Sequence, residues 1–212
     1  MYNKHMCNMY DDFSLLPADA GTSYWGDFSV PLFGTGNHGV NGSDELYIDG
    51  NQGGFGGTMY GHWSTVAQRV WELDYYPVFR ASFQQYSVAT ASWEFRLGWN
   101  AITGSQYTND CFGLLGGGGS TYYQAQSKIG GAVQSTQTFS TACDTNWHEI
   151  EVHSLGPSGD CLCILDRTDI VTLPNAGLYT GDFCFGMTFA NSTTTNRGIK
   201  VRWWQVMQRL ET

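Results

Sequence analysis

Carboxylates two residues apart are where chemistry could begin, because on a strand such a pair shares one face. Glu72 and Asp74 stand in that relation within Glu72-Leu73-Asp74-Tyr75-Tyr76-Pro77. Two carboxyl groups on one face can attack a sugar and protonate its leaving group. The next residue on that face is Tyr76, whose phenol has an ordinary pKa of about 10 and donates a proton poorly at neutral pH. Asp74 would repel Glu72 unless a cation stood nearby, and Arg69 and Arg80 are the candidates in that stretch. Glu149 and Glu151 form a second same-face pair. Both pairs are expected to be solvated strand-face groups, and no catalytic residue is assigned.

Other reactive residue types are equally scattered. His5, His38, His62, His148 and His153 form no motif, and the odd spacing of the last two would point them to opposite faces of one strand. Cys161 and Cys163 share a strand face, but no second pair lies near to complete the four ligands of a soft-metal site. With Cys184 they sit in apolar runs and are expected to be buried, free thiols. No Ser or Cys occupies a nucleophile elbow, and the glycine-rich stretches lack the Lys-Ser/Thr ending of a phosphate loop. Asn37, Asn41, Asp44, Asp49 and Asn51 make an oxygen-rich region whose spacing matches no EF-hand, so turn chemistry is the expectation. No metal and no cofactor is expected.

Aromatic side chains carry the positive hint of binding. Trp99, Tyr107, Tyr122 and Tyr123 flank loops or strand faces, where a flat ring can stack on a sugar ring, and they are the candidate carbohydrate-binding residues.

The elements that must position these residues are strands. Only 14% of residues are charged, 15% are aromatic, and glycine occurs 27 times, a balance suited to short strands and tight turns rather than to helices. Trp93, Phe95, Leu97 and Trp99 alternate with polar or small residues, as do Phe183, Phe185, Met187 and Phe189, and Ile199, Val201 and Trp203. Ile150 and Val152 alternate with Glu149, Glu151 and His153. Trp93, Phe95, Leu97, Phe183, Phe185, Ile199, Val201 and Trp203 are the expected core. Further strands are expected at 45–49, 69–75, 78–86, 121–125 and 161–166. The runs 49–57 and 116–119 are expected to be irregular, and 155–160 to be a hairpin turn. One β-sandwich domain over 1–212, with 1–10 as a candidate N-terminal arm, fits this spacing. A net charge of −9 without any basic cluster argues against a nucleic-acid partner, and no apolar run is long enough to span a membrane as a helix.

The last third carries a recognisable pattern. Trp147-His148-Glu149-Ile150-Glu151-Val152 leads to Cys161-Leu162-Cys163-Ile164-Leu165-Asp166, then Phe183-Cys184-Phe185-Gly186-Met187 and the closing Ile199-Lys200-Val201-Arg202-Trp203-Trp204. With Asp11-Asp12-Phe13 and Trp25 near the start, this resembles the concanavalin A-like lectin/glucanase superfamily. The resemblance implies an all-β, two-sheet antiparallel jelly-roll sandwich. Glycosidases of that superfamily carry E-x-D-x-E or E-x-D-x-x-E, and here the third acid is replaced by Tyr76 or Pro77. The alginate-lyase branch would need a Q-I-H strand and a Tyr/Lys-bearing partner strand, and neither is present.

The expectation is therefore a non-enzymatic protein. Domains of this fold usually work outside cells, yet residues 1–7 are polar and resemble no export signal. A virion location resolves the two: a phage capsid decoration or fibre-head protein, assembling with itself and with a capsid or other virion protein, and adhering to surface glycans. A lectin-like carbohydrate-binding module and a polysaccharide-degrading glycosidase or lyase are the alternatives.

Overall fold

Period-two alternation buries one side of each central strand, and two such sheets face each other. The computed structural model describes residues 6–11, 24–25, 28–29, 32–33, 37–40, 45–50, 55–61, 75–86, 88, 93–101, 111–156, 159–174, 183–191 and 197–209. In chain order the strands among them are β1 (Met6–Asp11), β2 (Tyr24–Trp25), β3 (Phe28–Ser29), β4 (Leu32–Phe33), β5 (Asn37–Val40), β6 (Leu46–Gly50), β7 (Phe55–Gly61), β8 (Val78–Gln85) and β9 (Trp93–Ala101). There follow β10 (Cys111–Gly117), β11 (Tyr122–Ile129), β12 (Ala132–Ala142), β13 (His148–Ser154), β14 (Cys161–Leu165), β15 (Asp169–Leu173), β16 (Phe183–Asn191) and β17 (Arg197–Arg209).

One sheet runs β15-β14-β13-β8-β17-β6-β5, and β1 also pairs with β17. The other runs β12-β11-β10-β9-β16-β7-β3-β2, with β4 on β7. Every pairing is antiparallel. The two-sheet antiparallel jelly-roll sandwich expected from the sequence is the fold observed. Residues 6–10, within the candidate N-terminal arm, lie in β1 against the C-terminal half of β17, from Met6 opposite Arg209 to Tyr10 opposite Gln205.

The core forms where the sheets meet. Phe79, Ala81 and Phe83 of β8, Ile150 and Val152 of β13, and Ile199, Val201, Trp204 and Val206 of β17 pack against Trp93, Phe95, Leu97 and Trp99 of β9 and Tyr123 and Ala125 of β11. Burying side chains of this size stabilises by roughly 1.5–3 kcal/mol each. Phe83 meets Phe95 at 5.8 Å and Tyr123 edge-on at 5.6 Å between ring centroids, tying the sheets together. The side chains of Phe183 and Phe185 lie outside the described residues.

Three expectations need correction. Trp203 is half-buried while Trp204 enters the core. Val201 pairs with Phe83 and Trp203 with Ser82, so Arg202 is an extra residue, and this β-bulge exchanges the faces of everything after it. The glycine runs are also more regular than expected. Phe55, Gly56 and Gly57 belong to β7, and Gly116 and Gly117 end β10, leaving Gly118 and Gly119 as the turn. Neighbouring strands dictate these glycines: a Cβ at Gly116 would lie 2.2 Å from the Phe95 ring. Finally, Asn37 and Asp49 are cross-strand partners in the β5–β6 hairpin rather than loop residues, while Asn41, Asp44 and Asn51 lie outside the described residues.

Candidate functional site

On β9 the residues that alternate with the core are Glu94, Arg96 and Gly98, so they face away from it. Register sets Arg96 beside Leu115 of β10, and Leu115 beside Gln124 of β11. One pleat along, a single row crosses five strands: Gly186 of β16, Gly98, Gly113 of β10, Gln126 of β11 and Thr136 of β12. Three adjacent glycines leave this row without side chains on three of its five strands. Gly98 and Gly113 cannot be otherwise, since an added Cβ would lie 2.6 Å from the Phe112 carbonyl oxygen and 2.2 Å from that of Leu97 respectively. Both also have φ in the region that favours glycine, +142° and +151°.

Polar groups crowd around that row. A crevice too tight to admit a water molecule is lined by Arg96, Gly98, Cys111, Gly113 and Gln126, all of them buried. Arg96 is 5% exposed, and its Nη2 donates to Glu94 Oε1 at 3.2 Å. Gln126, 9% exposed, donates from Nε2 to Thr136 Oγ1 at 3.1 Å. Arg96 Nε and Gln126 Oε1 are left without a hydrogen-bond partner among the described residues. Buried hydrogen-bonding capacity of this kind is rare in folded proteins and is commonly met by ligand or ordered water. Burial pushes the Cys111 thiol up, against the pull of Arg96 and Lys128. Burial pulls the Lys128 ammonium down, and the Arg96 charge adds to that. The described face thus holds two cations, Arg96 and Lys128, to one carboxylate, Glu94.

The sequence candidates divide sharply. Tyr122 lies on β11 two and four residues before Gln124 and Gln126, on the same face, with its side 46% exposed. It can offer a ring to a sugar. Trp99 and Tyr123 cannot, and this corrects their assignment as carbohydrate-binding residues. Both are fully buried: Trp99 Nε1 donates to the Val152 carbonyl of the opposite sheet at 3.3 Å, and the Tyr123 hydroxyl donates to the Asp144 carbonyl at 3.4 Å. Alternation points odd-numbered β9 residues and Tyr123 inward, so these rings build the core. Tyr107 lies outside the described residues. Arg96 and Gln126 were missed because polar residues on an alternating strand read as a solvated face. The signal that marks them is cross-strand, since it needs the register that aligns Gly98, Gly113 and Gln126.

The opposite sheet has a second recess, of about 340 Å³, lined by Ser82, Trp147, His148, Glu149, Asp166, Arg167 and Arg202. Its charges are engaged with one another. Glu149 pairs with Arg167 at 3.0 Å, and the Arg202 guanidinium lies 4.0 Å over the Trp147 ring. His148 is clamped between Asp166, 2.7 Å from Nδ1, and Asp144, 3.0 Å from Nε2. Glu151 pairs with Arg80 at 2.8 Å and with His153 at 3.0 Å. Glu149 and Glu151 are therefore ion-paired strand-face groups, with Arg80 on Glu151; the Glu72–Asp74 pair lies outside the described residues. Tyr76 adopts a left-handed φ of 53° with its ring against Gly156, off any strand face.

No protein-family model and no curated protein matches the chain. Solved structures do. A protein of unknown function from Shewanella oneidensis MR-1 superposes with a TM-score of 0.70 at 12% identity, over 97% of this chain and 87% of that one. The carbohydrate recognition domain of Emp47p gives 0.61 at 10% identity, over 97% and 98%. The family-7 alginate lyase A1-II′ gives 0.60 at 9% identity, over 84% and 86%. At such identities the likeness establishes the fold, a concanavalin A-like jelly roll, and function has to come from the site.

Proposed function

We propose that this chain is a glycan-binding β-sandwich that holds an anionic polysaccharide on the outer face of its nine-stranded sheet without cleaving it. The observation that carries the proposal is the half-exposed ring of Tyr122 on the face that also carries Arg96, Lys128, Gln126 and the glycine row Gly186–Gly98–Gly113. A sugar ring can stack at Tyr122, and the same face holds an unused donor, Arg96 Nε, and an unused acceptor, Gln126 Oε1. The local excess of positive charge, within a chain of net charge −9, selects carboxylate-bearing sugars. Binding without cleavage is supported by Glu94, whose carboxylate is held by Arg96. The solved lectin domain and alginate lyase of the same fold make glycans the ligand class to test first.

Calorimetry with alginate, pectate and hyaluronate, against a neutral β-glucan, tests this. Saturable, salt-sensitive binding to an anionic chain, lost in Lys128→Gln, is expected. Binding to none of the anionic chains would sink the proposal, and newly formed chain ends would overturn its non-cleaving part. A virion role, as a capsid decoration or fibre-head protein, is the second reading. It is favoured by the long uncharged edge strand β12, which suits assembly. Adjacent capsid, portal or terminase genes, and co-purification with a shell protein, are its test.

A further inference from the structure

The nine-stranded sheet ends at β12, eleven residues long, with no strand paired to its outer side among the described residues. An edge strand presents a row of backbone donors and acceptors, and proteins that must stay apart blunt it with charge, Pro or brevity. β12 uses none of these. From Ile129 to Cys143 the chain has no charged residue and no proline, although its net charge is −9. Six of the seven residues from Ala132 to Thr138 are exposed. Register irregularities against β11 fall near the two ends, and Ser135, Thr136, Gln137 and Thr138 pair without interruption.

One end of the edge is closed. The Asp169 carboxylate of β15 accepts from the Thr141 amide at 2.7 Å, the Thr141 hydroxyl at 2.8 Å and the Ser140 hydroxyl at 2.9 Å. That clamp joins the two sheets and caps the edge at Thr141, leaving the stretch before it open. At the far end of the strand from this clamp, Val133 is 52% exposed.

We infer that β12 pairs antiparallel with β12 of a second copy, about a two-fold axis near Thr136, joining two nine-stranded sheets into one. Charge selects this occupant. A two-fold axis sets Thr136 opposite itself, Ser135 opposite Gln137 and Gln134 opposite Thr138, so a charge at 136 would face its like and one at 135 or 137 would stand diagonal to its like. A strand free of charge over its whole length is what self-pairing requires. The five residues 134–138 that pair about this axis, at about 3.4 Å each, span about 17 Å. Val133 supplies apolar surface on the edge strand itself. The inference stands independently of the glycan proposal, and it sets two polar faces side by side on one continuous sheet.

Sedimentation velocity of the full chain from micromolar to millimolar concentration tests it. A dimer is expected, weakened about tenfold or more in Gln137→Lys, which stands the two lysines diagonal to one another across the axis, within reach of long side chains. Val88→Lys, the same charge change at another exposed position, should leave the dimer intact. Near-ultraviolet circular dichroism checks that both variants fold. Hydrogen exchange adds a second measurement: the amides of 134–138 should be protected at high concentration in the unsubstituted chain and not in Gln137→Lys. A chain monomeric at millimolar concentration overturns the inference. So does a dimer indifferent to Gln137→Lys, or an edge that takes up an unrelated extended peptide and not itself.

Discussion

Tyr122 and Tyr123 are neighbours of one type with opposite fates, and the difference is one step of a strand. Tyr123 sits among Phe83, Phe95 and His148, with burial holding its phenol neutral far above the ordinary range. Tyr123→Ala is expected to cost about 3–5 kcal/mol in chemical denaturation. Tyr122→Ala should change stability little and weaken polysaccharide binding about tenfold, the loss of one stacking contact, as titration calorimetry would show. The cysteines follow the same logic. Cys111, Cys143, Cys161 and Cys163 are free and buried, with Cys161 and Cys163 sulfurs 3.8 Å apart. Burial pushes the Cys143 thiol up to about 11 and raises Cys111 and Cys161 as well. Alkylation at neutral pH should therefore miss these four in the native protein and reach them in denaturant without reductant; a residue still unlabelled there would reveal a disulfide.

At the level of elements, two local irregularities position the sheets. The bulge at Arg202 sends Trp204 into the core and leaves Trp203 half-buried. Trp204→Ala should then cost about 3–5 kcal/mol by calorimetric melting and Trp203→Ala clearly less, the reverse of what unbroken alternation requires. The three-residue β14–β15 connection places Asp166 and Arg167 at φ of 50° and 65°, the positive values a primed turn demands, and the Thr168 amide donates to the Leu165 carbonyl at 3.3 Å. Asp166 offsets the strain by accepting from the Glu149 amide at 2.9 Å while it orients His148. Asp166→Ala should cost about 1–3 kcal/mol, because it strands a partly buried N–H.

For the whole molecule, acid is the informative perturbation. Burial works to raise the Asp144 and Asp169 carboxyls, but it is outweighed. Donors from Asn146 and His148 hold Asp144 below its unfolded value of 3.8, and those from Thr141 and Ser140 do the same for Asp169. A carboxyl lowered in the folded state adds stability that is fully present above the unfolded value and lost as pH falls through the folded one. Urea midpoints should thus drop as pH falls below about 4. Asp169→Asn should remove part of that pH dependence while leaving the neutral-pH fold intact, and an unchanged acid limb would show that the clamp between β12 and β15 contributes nothing.

How much of this was legible in the residues follows from what each feature depends on. Alternation at 93–99, 148–154 and 197–201 is a property of neighbours along the chain, so the strands, the sandwich and the 155–160 turn could be read directly. That Glu149 and Glu151 share one strand face was legible for the same reason, while their partners Arg167 and Arg80 were not. Other features depend on partners far away in sequence. Which glycines are strand and which are turn was decided by register, since Gly113 must lie against Gly98 and Gly116 against Phe95. The direction of Trp99 and Tyr123 was decided by the sheet opposite them. The bulge at Arg202 arises because β17 must match β8 on one side and both β6 and β1 on the other. The polar row through Arg96, Gln126 and the glycines exists only once β16, β9, β10, β11 and β12 are aligned. Short-range order was written in the pattern of side chains; the site is a long-range arrangement, and folding alone assembles it.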